Sequence, residues 1–259
     1  MTITRAEASD FSQLKELWSI VFSEEPEFLE KFFSLRFFPE NIFVAREQGK
    51  IISALHALPS FYQQNNRIQR CAYIVGAATY IEFRKQGIMS ALLTYTKQQL
   101  KCPITLFPAI RPFYETNGYL TTSEMLCFNL QGLKKYEPGT LVNPTKEELN
   151  SIYLEATRPG GNLLRDNFAW QFLLDGYSLL AVKDAYAFIK DNKAVETMAK
   201  NKDSAIALLG LLEKEDIKSC SVLHESPFTE LLITQPFEVL PMGMSTDATM
   251  QGCYIAEQY

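Results

Sequence analysis

Two short segments hold residues whose types and spacing can do chemistry. The first is Arg84-Lys85-Gln86-Gly87, running on into Ile88, Met89 and Ser90. A long apolar run from Cys71 to Ile81 precedes it, and an amphipathic run from Ile88 to about Lys101 follows. A strand-to-helix turn at this place exposes the unpaired N–H groups of the first helical turn and the positive end of the helix dipole. Gly87 carries no Cβ, so an anion can approach the main chain, and Arg84 and Lys85 add positive charge. Such a cradle suits a pyrophosphate. Neither the Walker pattern nor the Gly-x-Gly-x-x-Gly fingerprint is present. On these residues alone, an ordinary turn with solvated charges is the alternative. The second segment is Pro112-Phe-Tyr-Glu-Thr-Asn-Gly-Tyr119. Tyr114 offers a phenol that can donate a proton to a leaving group. Its alternative role is a packing aromatic with a satisfied hydroxyl.

The flanking elements must position these residues. Ile3 to Arg5 predicts a short strand, and Ser9 or Asp10 can cap a helix over about 11–22, with Leu14, Leu17, Trp18 and Val21 on its buried stripe. Pro26 suits the first turn of a helix through about Phe37. Strands are expected from Asn41 to Arg46 and from Ile51 to Tyr62, joined by a turn over 47–50. The run from Cys71 to Ile81 is apolar on both faces and belongs in the centre of a sheet. Gly76 inside it signals a bulge or a close backbone approach. Pro103 to Phe107 reads as a strand, Pro112 opens a short helix closed by Gly118, and Tyr119 to Leu130 reads as one final strand. The second half repeats this order more weakly, with helices at Thr145–Ala156, Arg165–Leu174, Asp203–Leu212 and Pro227–Ile233. Its expected strands are Tyr177–Val182, Ala185–Lys190, Val195–Lys200, Ser219–Leu223 and Glu238–Met244.

Composition narrows the function. The 259 residues are 47% hydrophobic and 21% charged, which is globular composition with enough chain for a core without staples. The net charge of -5 and the lack of a Lys/Arg block argue against nucleic acid as a partner. No apolar run approaches 18 residues and the N-terminus lacks a signal-peptide pattern, so no membrane partner and a cytoplasmic location are expected. Five cysteines without close spacing and only two histidines argue for reduced thiols and no metal site. The charge is uneven. Residues 1–128 hold 13 basic and 12 acidic residues (net +1), and residues 129–259 hold 12 and 18 (net -6). A turn-rich stretch over 137–145 follows the midpoint, and the domain boundary is expected near 130.

The segment Thr79-Tyr-Ile-Glu-Phe-Arg-Lys-Gln-Gly-Ile-Met-Ser-Ala-Leu-Leu93 resembles the acyl-CoA motif of the GNAT (Gcn5-related N-acetyltransferase) superfamily, Arg/Gln-x-x-Gly-x-Gly/Ala at a strand-to-helix turn. Arg84-x-x-Gly87 matches, whereas Met89 stands where the family has a small residue. Pro112–Tyr119 is similar to the family's Phe-Tyr-x-x-x-Gly-Phe/Tyr segment, in the right order and at the right spacing. The weaker second repeat resembles the Eis-type arrangement of two GNAT-like halves, here without the C-terminal sterol-carrier-like domain, since the sequence ends at Tyr259.

The resemblance implies an α/β (α+β) fold of two tandem GNAT-like domains, each a mixed, mostly antiparallel sheet flanked by helices: residues 1–130 an acyl-CoA-binding domain, residues 131–259 a degenerate one. It implies an N-acetyltransferase that moves an acetyl group from acetyl-CoA to a primary amine, on a small molecule or a peptide, by direct attack. Main chain at Ala78, Thr79 and Tyr80 would pair with the pantetheine arm and stabilise the oxyanion. Arg84 and the amides of Lys85, Gln86, Gly87, Ile88, Met89 and Ser90 would hold the pyrophosphate, and Tyr114 would be the general acid. No covalent intermediate is expected, although Cys71 lies on the central strand. The general base is not evident. His56, Glu82, the terminal carboxylate of Tyr259 and a water relay are the candidates. No Arg-x-x-Gly occurs in the second half, so it is expected to wall the acceptor cleft without binding CoA, and Arg158-Pro-Gly-Gly161 reads as a loop. Glu24, Glu25 and Glu27 lie where the family's acceptor site is flanked and would favour a cationic amine. Phe28, Phe32, Phe33, Phe37 and Phe38 read as packing. A non-catalytic CoA-binding or interaction module is the alternative function, and either a monomer or a dimer fits.

Overall fold

The computed structural model describes residues 1–133 and 136–256. The first half builds β1 (Thr2–Arg5), α1 (Phe11–Phe22), α2 (Pro26–Arg36), β2 (Ile42–Glu47), β3 (Lys50–Gln64), β4 (Arg67–Thr79), α3 (Ile88–Leu100), β5 (Ile104–Leu106), α4 (Arg111–Thr116), β6 (Leu120–Thr121) and β7 (Glu124–Asn129). The second builds α5 (Lys146–Ala156), β8 (Asn162–Leu163), α6 (Asn167–Gly176), β9 (Ser178–Val182), β10 (Ala185–Lys190), β11 (Lys193–Ala199), α7 (Lys202–Lys214), β12 (Ser219–Leu223), α8 (Pro227–Leu232), β13 (Phe237–Pro241) and β14 (Met244–Ser245).

Local signals explain most of these boundaries. Pro26, Pro112 and Pro227 sit in the first turns of α2, α4 and α8, where a missing N–H costs nothing. Thr145 and Glu148 form a reciprocal capping box on α5, and Asp166 caps α6. Asn201 caps α7, which begins at Lys202, one residue before the expected start at Asp203. Arg165 stays outside α6, because its guanidinium is drawn into the core by Glu196.

The strands form two mixed, mostly antiparallel sheets. The first runs β1-β2-β3-β4-β5-β14-β6, with β8 added to the far end of β3. The second runs β13-β7-β12-β11-β10-β9. Helices cover both: α1 and α2 pack on one face of the first sheet, α3 and α4 on the other. In the second sheet, α7 and α8 cover one face and α5 and α6 the other. The single strands expected over Tyr119–Leu130 and Glu238–Met244 each divide. β6 and β14 lie in the first sheet, whereas β7 and β13 lie in the second. Thr122 and Ser123 make the first crossing and Met242 and Gly243 the second; Thr122 N–H donates to the Gly243 carbonyl at 2.9 Å and Met242 N–H to that of Ser123 at 2.9 Å. The first sheet thus contains β8 and β14 from the second half of the sequence, and the second sheet contains β7 from the first half.

Ionic contacts also join the halves. Arg36 on α2 makes a two-pronged pair with Asp166 at 2.8 and 2.9 Å, and Lys31 pairs with Asp175. In the second core, buried Arg165 is bidentate to Glu196 at 2.8 and 2.6 Å and lies 4.0 Å from the Tyr153 ring centroid. Tyr186 and Tyr254 donate to the same carboxylate at 2.7 and 2.8 Å. Every oxygen of Glu196 is therefore engaged, which is the condition for burying such a charge. Among the described residues no helix is long and apolar enough to cross a membrane.

Candidate active site

The site begins with a mismatch between neighbouring strands. β4 pairs in parallel with β5 only over Ala72–Ile74. Beyond Leu106, β5 gives way to a loop, while β4 continues to Thr79 and pairs with β3 alone. The β3–β4 register slips between Ala54 and His56, so that Gly76 and Ala77 together oppose Leu55. Gly76 takes φ +62 at this bulge, and a Cβ there would stand 1.8 Å from Trp18 Cζ2. Only glycine satisfies both the left-handed backbone and the indole packed against it.

The parting opens a cleft of about 290 Å³, floored by Tyr73–Ala77 of β4. Trp18, Phe22 and Glu24 from the end of α1 form one wall; Leu106–Ala109 and Tyr114 form the other. The sequence showed Trp18 only as part of a helix stripe, and neither Phe22, Tyr73 nor Phe107 carried a functional signal. Of the three clustered glutamates, Glu24 reaches the cleft; Glu25 and Glu27 are exposed outside it. Phe32 and Phe33 are buried in the core, and Phe28 packs against it.

Tyr114 is 9% exposed. Its ring meets those of Phe113 and Tyr119 edge-on at 5.2 and 5.6 Å. Burial pushes its phenol up to about 12, so it stays protonated at neutral pH. The Tyr119 hydroxyl is buried and unpartnered among the described residues, and burial raises it further.

At its C-terminal end β4 leads to the turn before α3. Ala78 is fully buried, and its carbonyl accepts from Ser53 Oγ at 2.8 Å. The Thr79 hydroxyl lies 2.8 Å from Ser53 Oγ, and its carbonyl accepts from Arg84 Nε at 3.0 Å. Tyr80 is half-buried against the first core, its phenol raised by burial and then by Glu16 and Glu82. None of these three lines the cleft; they continue its floor toward the turn. Lys85 (φ +60) and Gly87 (φ +76) give the turn two left-handed residues, and Gly87 is the N-cap of α3. A Cβ at Gly87 would meet no heavy atom within 4 Å. Arg84, Lys85, Gln86 and Gly87 are exposed, and the Gln86 amide donates to the Glu82 carbonyl at 3.0 Å. Ile88 is buried against Ala45 and Ile52, Met89 packs on the core beneath α3, and Ser90 is half-buried. The bulk of Met89 therefore lies away from the open side of the turn.

A family model described as an acetyltransferase (GNAT) domain matches residues 2–121, the segment that supplies every wall of the cleft. Residues 2–121 are thus similar to a GNAT acetyltransferase domain. Acyl transfer is the chemistry of the GNAT family whose model this segment matches. No curated protein matches the sequence significantly. Solved structures share the whole GNAT-like arrangement. A protein from Enterococcus faecalis described as a probable N-acyltransferase superposes with a TM-score of 0.74 at 20% identity, over 94% of this chain and 72% of its own. A GCN5-related N-acetyltransferase from Anabaena variabilis gives 0.71 at 17% identity, over 96% and 74%. Eis1 from Mycobacterium abscessus gives 0.71 at 13% identity, over 95% and 73%. The tandem, Eis-like arrangement of two GNAT-like domains is thus present at the level of the fold.

The geometry separates the candidate bases of this site. His56 is fully buried among Trp18, Phe32 and Phe33, with ring centroids 5.2, 5.5 and 5.7 Å away. Burial drives its imidazole down to about 3, and both nitrogens lack a partner among the described residues. It is neutral and does not line the cleft. Glu82 is exposed in the turn before α3. Tyr259 lies outside the described residues. The loop Arg158–Gly161 packs its glycines against main chain: a Cβ at Gly160 would stand 2.4 Å from the Gly252 carbonyl oxygen, and one at Gly161 2.5 Å from that of Gln63. Close packing accounts for this loop without a phosphate.

Proposed function

We propose that the protein is an acetyl-CoA-dependent N-acetyltransferase acting on a primary amine by direct attack. The observation that carries this reading is the separation of β4 from β5 at the Gly76 bulge, with Tyr114 on the opposite wall and the Gly87 turn at the end of the same strand. An extended pantetheine arm would add along the unpaired edge of β4 from the bulge past Ala78, Thr79 and Tyr80, as a peptide strand adds to a sheet edge. The phosphates would then meet the N–H groups from Lys85 to Ser90 at the start of α3, with Arg84 and Lys85 beside them.

With the thioester over the bulge, the amine lone pair attacks its carbonyl carbon. The C–N bond forms, and the carbonyl oxygen takes up negative charge facing main-chain N–H groups of β4. Collapse breaks the C–S bond and releases the thiolate. Tyr114 hydrogen-bonds to the sulfur and gives it a proton. At about 12 the phenol is a weaker acid than a thiol at about 8.5. Proton transfer therefore completes only as the proton lost by the attacking nitrogen returns through water to the phenolate. Glu24 is the only carboxylate lining the cleft among the described residues, so water carries the base role here.

Calorimetric titration with acetyl-CoA tests the donor assignment. Binding to the wild type and none to Gly87→Glu, which places bulk and negative charge at the open turn, is the expected result. Release of CoA thiol with an amine then tests turnover. The absence of an imidazole from the cleft favours a second reading, a CoA-binding module without turnover. Acetyl-CoA binding with no thiol release across a broad amine panel would select it.

A further inference from the structure

The cleft also carries information about the acceptor. Among the described residues its lining side chains include no lysine, arginine or histidine, and only one carboxylate, that of half-buried Glu24. The remaining surface is aromatic and aliphatic, dominated by Trp18, Phe22, Tyr73 and Phe107. At the mouth, Phe22 is 38% exposed and Ile110, next to the wall residue Ala109, is 66% exposed. The volume of about 290 Å³ falls at the lower end of the roughly 300–1,000 Å³ typical of small-ligand sites, and the acyl end of the donor shares it.

We infer that the acceptor is a small primary amine with one positive charge and an apolar, aryl-alkyl or alkyl body, and that Glu24 determines specificity by pairing with its ammonium group. This rests on the reading of the cleft as an N-acetyl transfer site. The chain turns sharply after α1 at Ser23 (φ +54), which sets Glu24 at the cleft edge two residues beyond the end of the helix at Phe22. A carboxylate there attracts the protonated amine. After one proton is lost to solvent, the neutral nitrogen advances to the thioester. A second cationic group would face the aromatic walls without a counter-charge, at a steep desolvation cost. An apolar body is what the walls and the exposed Phe22 and Ile110 would remove from water.

Three measurements test this. Thiol release with propyl-, butyl-, pentyl- and hexylamine should show kcat/KM rising about fourfold per methylene until the walls are filled. Phenethylamine should exceed ethanolamine and spermidine by at least about tenfold. Calorimetry in the presence of CoA, which needs no turnover, should show phenethylamine binding about five- to tenfold more tightly than 2-phenylethanol, a preference lost in Glu24→Gln. The same variant should bind acetyl-CoA as the wild type does, which shows that it folds. A flat chain-length series, preference for ethanolamine or spermidine, or an ammonium preference that survives Glu24→Gln overturns the inference. Acetyl-CoA binding without binding of any apolar amine overturns this inference alone. Absence of acetyl-CoA binding overturns the acetyltransferase reading, and the acceptor assignment with it.

Discussion

Replacing Gly76 by alanine is the sharpest test of how the cleft is built. A Cβ at this position would lie 1.8, 2.3 and 2.7 Å from Trp18 Cζ2, Cε2 and Cη2. The indole has no easy retreat. It stacks on Phe32 at 4.3 Å and meets Phe33 and His56 edge-on at 5.6 and 5.2 Å. The left-handed backbone costs about 1–2 kcal/mol for a residue with a Cβ. Overpacking a filled core costs about 1–3 kcal/mol more. The sum, about 2–5 kcal/mol, is a large share of the roughly 5–15 kcal/mol that stabilises a folded domain. It corresponds to a fall in Tm of about 5–15 °C for a chain of this size. Gly49→Ala is the control, because Gly49 also has positive φ (+82) but meets nothing within 4 Å. Only the backbone cost, about 1–2 kcal/mol, applies there. Urea unfolding of both variants separates the two contributions. Trp18→Leu combined with Gly76→Ala should be less destabilised than the sum of the single changes by at least about 1 kcal/mol. If Gly76→Ala costs no more than Gly49→Ala, or the cycle is additive, the account of the bulge as a glycine held beneath an indole is refuted. Relief of the clash by flattening the bulge would turn the following residues to the opposite face, so acetyl-CoA affinity should fall with stability.

Tyr114→Phe should lower kcat about 10²–10⁴-fold with little change in acetyl-CoA affinity, as read by thiol release and calorimetry. Glu196→Ala should cost about 3–5 kcal/mol, because it leaves the Arg165 guanidinium buried without its counter-ion; denaturant unfolding checks this. His56 gives a pH signature of definite sign. Its folded-state pKa of about 3 lies below the ordinary 6.5, so the unfolded chain binds the extra proton first. Its stability contribution is complete above pH 6.5 and falls by about 1.4 kcal/mol per pH unit below it. Unfolding of wild type and His56→Leu from pH 7.5 to 5 should show this extra slope only in the wild type. Asp166 and Glu196, both held below the usual carboxylate range, act lower: for each, burial works against the charge and the paired arginine outweighs it. Their stabilisation is present above about pH 4 and is lost as pH falls through their lowered pKa values, so Arg36→Gln should be less stable than wild type at pH 7 and should show a shallower loss of stability below about pH 4.

The elements were legible because their signals are local. Proline at the first turn of α2 and α4, the apolar stripe of α1 and glycine closing the turn after α4 all act within a few residues. Gly76 inside an apolar run signalled a bulge for the same reason, and Gly87 announced its turn. What stayed hidden depends on residues far apart in sequence. The run from Tyr119 to Leu130 has one unbroken strand composition, yet Thr122 bonds to Gly243 and divides it. Nothing in the spacing of Leu14, Leu17, Trp18 and Val21 says that the indole covers a bulge some 60 positions later. Glu24 looked no different from Glu25 and Glu27, because which of them faces the cleft depends on the left-handed turn at Ser23. The large Met89 departs from the usual motif, but it is the rotation of α3 on its sheet that decides where the side chain goes.

The exchange of strands has a consequence for the order in which the molecule can be made. In the first sheet β14 lies between β5 and β6, so the wall that carries Tyr114 is not fastened until residues 244–245 have been synthesised. At about 5–20 residues per second, the ribosome needs roughly 7–26 s after finishing Tyr114 before it has made the segment that locks it. During that interval β7 waits for β12 and β13, which are also still to come. The nascent chain therefore passes through a stage with two unfinished sheets and two open edges, and neither half can act as a template complete in itself. A protein cut near residue 130 would present each piece with a vacant strand position. The pieces would be expected to seek each other, or another copy, before either could close a cleft.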